Sequence, residues 1–337
     1  MKQNAIFYRV VVLAFVFIGF LLVSCDQEPL FWDIAHEYPP IEPRIKGAPS
    51  KIVKFGTNLY VTNGTVWEYT TSWNRIHSPH TTRDVAVANN TLYALGVDGQ
   101  IYKLPTWETY NSDGRVESIF GAGSDLFACS LTGSPGSNYG YTITVNGITT
   151  INRKTGKLMG VVAKGSNIYL GTLGTGMFTY PGSGNDLTSV YGGDIIGMAS
   201  DGTNVYAVTP GSVYNVEGLP VNEGGSFSGG IAIWTYKSSK LLLVGVRRSG
   251  DSFGYGYREI NLNTPSGLQI PGSSDISSVP RSSQYISAIG KNVVNHFWVT
   301  DIAGDNAGRP IIFASTAKNG LWSYRDRGGN PQWNGED

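Results

Sequence analysis

Few side chains in this sequence are spaced for catalysis. His77 and His80, in His77-Ser-Pro-His80, could place two imidazoles near one another. No third ligand follows at the spacing of a tetrahedral metal site, so a turn carrying two surface histidines is the expectation. Asp301, Asp305 and Asn306 in "DIAGDNAG" are oxygen ligands of the kind Ca²⁺ takes. They miss the alternate-residue spacing of a calcium loop, and a polar hairpin turn is the simpler reading. There is no Gly-rich phosphate loop opening a helix and no Gly-x-Ser-x-Gly elbow, so no cofactor is expected. Carboxylates come singly, which leaves no acid/base pair to name. An enzyme would have to gather Arg247, Arg248, Asp251, Asp84 and Asp194 from separate parts of the chain.

Cys25 has a different chemistry. Lys2 and Arg9 form a basic leader, and residues 10–24 carry no charge. As a helix those 15 residues would reach about 22 Å, short of a hydrocarbon core of about 30 Å. Basic start, short apolar middle and small closing residue are the layout of a secretory signal. Leu22-Val23-Ser24-Cys25 resembles the lipobox of bacterial lipoproteins. The resemblance covers residues 1–25 and implies cleavage before Cys25, a diacylglycerol thioether on its sulfur and acylation of its new amino group. It makes Cys25 a membrane anchor, since two or more acyl chains hold a protein to a bilayer stably. Asp26 is a retention signal in some bacterial groups and not in others, so either membrane, inner or outer, stays open.

Composition sets the remaining bounds. Loss of Lys2 and Arg9 with the leader leaves 23 basic and 25 acidic residues. That balance lacks the basic surplus needed for nucleic acid. Cys129 in "DLFACSL" is the one cysteine left once Cys25 carries lipid, so the domain has no internal disulfide, and Cys129 reads as a small apolar strand residue. The leader is placed at 1–24 and the lipidated cysteine with a Pro-rich linker at 25–49, which holds Pro29, Pro39, Pro40, Pro43 and Pro49. Leu30, Phe31, Trp32 and Ile34 in that linker are expected to pack on the domain.

Residues 50–337 repeat a phrase of an apolar strand, a polar turn and a strand opened by an aliphatic–aromatic pair: "FGTNLYVT", "ANNTLYAL", "AGSDLFAC", "KGSNIYLG" and "DGTNVYAV". A second phrase follows most copies: "GTVWEY", "GQIYKL", "TGMFTY", "GSVYNV" and "NGLWSY". The aromatics Tyr60, Tyr93, Phe127, Tyr169 and Tyr206 are 33, 34, 42 and 37 residues apart. That period holds four short strands, the size of a propeller blade. The chain therefore reads as an all-β propeller, with units at 50–80, 81–112, 115–153, 157–192, 193–223, 228–272 and 284–337. Seven four-stranded blades are expected, with six or eight as alternatives. The last unit reads as "YISAIG", "HFWVTDI", "PIIFAST" and "LWSYRD". The phrases resemble propeller repeats of the quinoprotein-like and NHL-like groups. "VDGQIYKL" and "NRKTGKLMG" are similar to the quinoprotein-type repeat, which implies an outer-membrane assembly lipoprotein. The recurring tryptophan and aspartate of that pattern are missing, so it assigns no site residues.

The repeated aromatics Trp67, Tyr102, Phe178, Tyr214 and Trp322 are expected between blades, because each apolar sheet face must be covered by a neighbour. Aromatics outside the repeat, among them Trp73, Trp107 and Tyr110, are the ones open to function. Tyr139 and Tyr141 in "TGSPGSNYGY", Tyr255 and Tyr257 in "RRSGDSFGYGY", and Trp234 and Trp298 are the candidate ligand-binding loop residues. The favoured function is a lipid-anchored, non-enzymatic module in the cell envelope that binds or scaffolds another envelope protein or a glycan. The alternative is a propeller glycan hydrolase or lyase.

Overall fold

In the computed structural model the described residues are 43–336, apart from 112–114, 133–139, 148, 183–185, 217–219, 224, 237–238, 248–253, 263–288, 290–291, 305–307 and 327–330. They form seven antiparallel sheets, each built from one continuous run of chain with sequential strands hydrogen-bonded as neighbours. The blades span 53–75, 82–111, 116–155, 157–191, 197–223, 227–261 and 294–335. Blade six shows three strands among the described residues, and the others show four. All seven coincide with the repeat units. In the last blade the strand assignment shifts: its fourth strand is Pro331–Gly335 at the C-terminus, whereas "YISAIG" lies largely outside the described residues.

The repeated phrase is the hairpin between a blade's first and second strands. Its turn needs backbone in the left-handed region, which glycine and asparagine adopt at low cost. Gly56, Gly123, Gly165 and Gly202 have φ between 59° and 84°, and in blade two Asn89 and Asn90 take their place at 45° and 50°. The apolar face of each sheet then meets the next blade. Seven buried clusters fill the seven interfaces in turn. Trp67, Phe178 and Trp322 sit in these clusters, as the repeat implies.

The first strand of each blade lines a central channel. These innermost strands begin at one face, here termed the front, which also carries every turn from second to third strand. On this face neighbouring blades are stitched together. The turn of blade one is bonded to the start of blade two through Gly64 and Thr82, at 3.0 and 3.1 Å. Val116 donates to Gly99 (3.3 Å), Ile195 to Thr172 (3.0 Å), Phe227 to Pro210 (3.0 Å) and the Gly256 amide to Asn292 (3.2 Å). Between blades three and four the Leu158 N–H meets Cys129 Sγ at 3.4 Å.

The last stitch closes the ring. Gly320 and Leu321 of blade seven donate to the carbonyls of Gly47 and Ile45, at 2.8 and 2.9 Å. Ile45 is fully buried in the cluster joining blade seven to blade one, together with Phe313, Tyr69 and Trp73. Ser315 Oγ donates to the Ser50 carbonyl (2.8 Å). Arg44 N–H donates to the Glu336 carbonyl (2.6 Å), and Arg325 Nη2 to the buried Glu336 carboxylate (2.5 Å). Residues 43–49, assigned above to the linker, are therefore part of the domain. The apolar residues 30–34 fall outside the described residues.

Deletion of the closing segment tests this arrangement. A domain beginning at Pro43 should melt in one cooperative transition. One beginning at Lys51 loses the buried Ile45 and four hydrogen bonds of the closure. It should be destabilised by roughly 3–5 kcal/mol, about 10 °C for a domain of this size. Equal melting temperatures in differential scanning calorimetry would show that blades one and seven hold each other without the segment.

Candidate functional site

The channel has a volume of about 570 Å³. Its walls are mostly aliphatic, including Val87, Val161, Met198 and Ile231, with Phe120 as an aromatic patch. Glycine lets the inner strands approach closely. A Cβ on Gly121 would lie 1.7 Å from the Val87 carbonyl oxygen, and one on Gly197 would lie 1.9 Å from that of Gly229. No side chain fits at either place.

At the front mouth the apolar wall is broken by Lys51 and His296, and Asp84 from a further blade is bonded to Lys51. Lys51 lies two residues before the first strand of blade one, Val53–Phe55, Asp84 is the third residue of Thr82–Ala88, and His296 the third of Val294–Gly304. Lys51 Nζ lies 2.5 Å from both carboxylate oxygens of Asp84. Asp84 also accepts the backbone N–H groups of Val85 (2.9 Å) and Ile119 (3.4 Å). The ammonium points inward, 4.4 Å from the centre of the Phe120 ring. Burial lowers the pKa of Lys51 against the opposing pull of Asp84. Burial, reinforced by the Lys51 charge, holds His296 down to about 4. Near neutral pH the His296 imidazole is thus neutral, beside the bonded Lys51 and Asp84.

The sequence candidates are not brought to one place. Trp234 and Tyr257 are corrected from loop to core. Trp234 is 1% exposed in the innermost strand Phe227–Tyr236, its Nε1 donating to the Pro310 carbonyl at 3.3 Å. Tyr257 is buried between blades six and seven, 5.6 Å from the rings of Phe297 and Trp333, with its hydroxyl donating to Glu259 at 3.3 Å. Trp298 is also on an innermost strand, half-buried against the closing interface. Tyr141 begins the third strand of blade three on the front face, half-buried, with its phenol pKa raised by desolvation. Trp73 is core, while Trp107 and Tyr110 pack partly into blade interfaces. Tyr139, Asp305, Asn306, Arg248, Asp251 and Cys25 lie outside the described residues, as do the side chains of Tyr255 and Asp301.

Among the other candidates, Asp84 alone reaches the channel mouth, through its bond to the lining residue Lys51. Asp194 is exposed on the connection into blade five, accepting the Gly174 N–H at 2.7 Å. Arg247 is exposed where the second strand of blade six ends on the front face. His80 stacks on Tyr102, with ring centroids 3.9 Å apart. Among the described residues no group of three His, Cys, Asp or Glu side chains could hold a metal. Sequence reasoning missed Lys51 and His296, whose only signal is a charged or polar residue at the start of an inner strand. The front face also carries two of the most exposed large aliphatics, Val97 (58%) and Leu173 (40%), both at second-to-third-strand turns.

No family profile matches the chain. It is similar to an uncharacterized lipoprotein of Treponema pallidum (strain Nichols), 27% identical over 299 residues, covering 79% of this chain and 72% of the relative. A second uncharacterized lipoprotein of that organism is 34% identical over 88 residues, 25% of this chain and 18% of the relative. Among solved structures, the WD40 propeller domain of Doa1 has a TM-score of 0.54 at 11% identity, covering 86% of this chain and 96% of that one. An ancestral GH74 enzyme has a TM-score of 0.57 at 14% identity, covering 88% and 48%. At such identities these two share the fold. The recognition of a lipoprotein-type chain with a propeller domain thus stands on relatives so named and on the seven-bladed ring, with the repeat family unresolved.

His296 makes stability depend on pH. Its folded pKa of about 4 lies below the ordinary value of 6.5. Between these values the unfolded chain binds a proton that the folded chain refuses, so stability falls as pH drops through this window and levels off below it. The loss should be on the order of 1–3 kcal/mol, the upper end being the full shift and the lower allowing for water in the lumen. Urea unfolding of wild type and His296→Gln between pH 7 and pH 4 measures it. The variant should show a shallower decline, and parallel curves would remove His296 as the cause.

Proposed function

We propose that this protein is a lipid-anchored lipoprotein of the cell envelope, held to a bilayer through Cys25, with a propeller that acts as a non-enzymatic binding or scaffold module. Its partner is another envelope protein or a glycan, met at the front face. The anchor is supported by the Leu22-Val23-Ser24-Cys25 signature and by relatives named lipoproteins. The observation that supports the binding role is the channel that the seven inner strands line, whose front mouth lies on the face that also carries exposed Val97 and Leu173.

The hydrolase or lyase alternative draws less support. Hydrolysis of a glycosidic bond ordinarily uses two carboxyl groups about 5–9.5 Å apart. The described residues lining the channel include no carboxylate, and Asp84, bonded to the lining Lys51, has its two oxygens occupied by Lys51 and two backbone amides.

Two measurements test the proposal. Cys25→Ser should abolish acyl labelling and move the protein out of the detergent phase, or leave it unprocessed. Unchanged labelling would remove the anchor. A photo-crosslinker at Val97 or Leu173 should give a discrete adduct in intact cells, whereas one at Thr57, exposed on the opposite face, should not. Adducts at Thr57 with none at the front would overturn the choice of face.

A further inference from the structure

We propose that the front mouth of the channel binds a carboxylate between Lys51 and His296, and that this carboxylate is the C-terminus of a peptide lying in the lumen. The proposal rests on the binding-module reading and names the ligand chemistry of its channel.

A carboxylate offers about four lone-pair sites. At Asp84 all are engaged: Oδ1 takes Lys51 and the Val85 amide, and Oδ2 takes Lys51 and the Ile119 amide. Asp84 has nothing left to offer a ligand. The Lys51 ammonium carries three N–H donors, of which Asp84 takes two. Neutral His296 carries one N–H donor and one acceptor nitrogen, and no hydrogen bond joins its ring to the described residues, so two N–H donors stand against a single acceptor. The mouth therefore has donors in surplus. Its positive end also faces the lumen, because Lys51 Nζ lies over Phe120 while Asp84 is turned toward the backbone of blades two and three. A ligand that matches this must bring acceptor oxygens and negative charge, and a carboxylate between two N–H donors does both.

The wall selects what carries the carboxylate. Each innermost strand has a strand partner on one side only; side chains of neighbouring blades bond some groups of its other edge, such as the carbonyls of Leu158, Ala163 and Val294, and the rest of that edge borders the lumen. Between these edges lie aliphatic side chains such as Val161 and Ile231. An extended peptide supplies backbone groups for the edges and apolar side chains for the wall. An acyl chain lacks the first and a sugar lacks the second.

Full-length protein in detergent micelles, isotope-labelled at its histidines, allows a direct test by NMR. The probes are N-acetyl-Ala-Val-Ala as the free acid, the same peptide as its C-terminal amide, and butyrate. The free acid should shift the His296 ring signals saturably and raise its pKa, because a negative charge arrives beside the imidazole. The amide and butyrate should each bind about tenfold more weakly or worse. Lys51→Met alone strands Asp84 and can unfold the protein. The double variant Lys51→Met with Asp84→Asn removes the charges together and should melt cooperatively while losing affinity for the acid at least about tenfold. Acid and amide binding alike, no His296 shift at about 10 mM acid, or undiminished binding by the double variant would each overturn the proposal. Butyrate binding as tightly as the peptide acid would overturn the peptide assignment. Any of these results with front-face crosslinks intact removes this site and leaves the binding module; loss of the crosslinks as well removes that reading too.

Discussion

A ring of sheets is stable only when its last sheet covers the first. Each blade here buries an apolar face against a neighbour, so an unclosed chain would leave Trp73, Tyr69 and Phe313 in water at one seam. Every described sheet is built from a single run of chain, so no strand is shared between the two ends of the sequence. Closure falls instead to residues 43–50, which occupy beside blade seven the place that each later blade's own leading segment occupies beside its predecessor. The contacts join residues more than 250 positions apart, as in the Ser315–Ser50 bond. The entropy of closing so long a loop grows only slowly with its length. A buried isoleucine, a T-shaped aromatic trio and a few hydrogen bonds are enough to offset it.

The same closure builds the mouth of the channel. Lys51 follows directly on the closing segment: the Ser50 carbonyl is held by Ser315, and the next side chain reaches Asp84. His296 arrives from blade seven on the other side of the seam. The polar cluster and the closing joint of the ring are therefore one place. Substitutions that loosen the joint should also disturb the electrostatics of the mouth.

Much of the architecture is legible in the sequence. The turn glycines and asparagines, the paired aromatics and the period near 37 residues give the blades, because every blade solves the same local problem of turn and coverage. Trp234 and Tyr257 misled for a related reason: they fall outside the repeated phrases yet still face a neighbouring blade. Irregular spacing marks a different position in the sheet, and burial depends on the face. Pro43 and Pro49 suggested linker, since proline forbids ladder hydrogen bonds, yet Ile45 between them is core. The Lys51–Asp84–His296 cluster is illegible because Lys51 is 33 residues from Asp84 and 245 from His296, and only the closed ring brings them together.

The central claim is that ring closure is part of the global fold and not a latch that opens separately. Native-state hydrogen exchange at Gly320 and Leu321, whose amides donate to the closing segment, measures this directly. The account predicts that both amides exchange with the same opening free energy and denaturant dependence as the buried amide of Phe313. Exchange at Gly320 and Leu321 through a smaller, denaturant-independent opening, with Phe313 still protected, would contradict it.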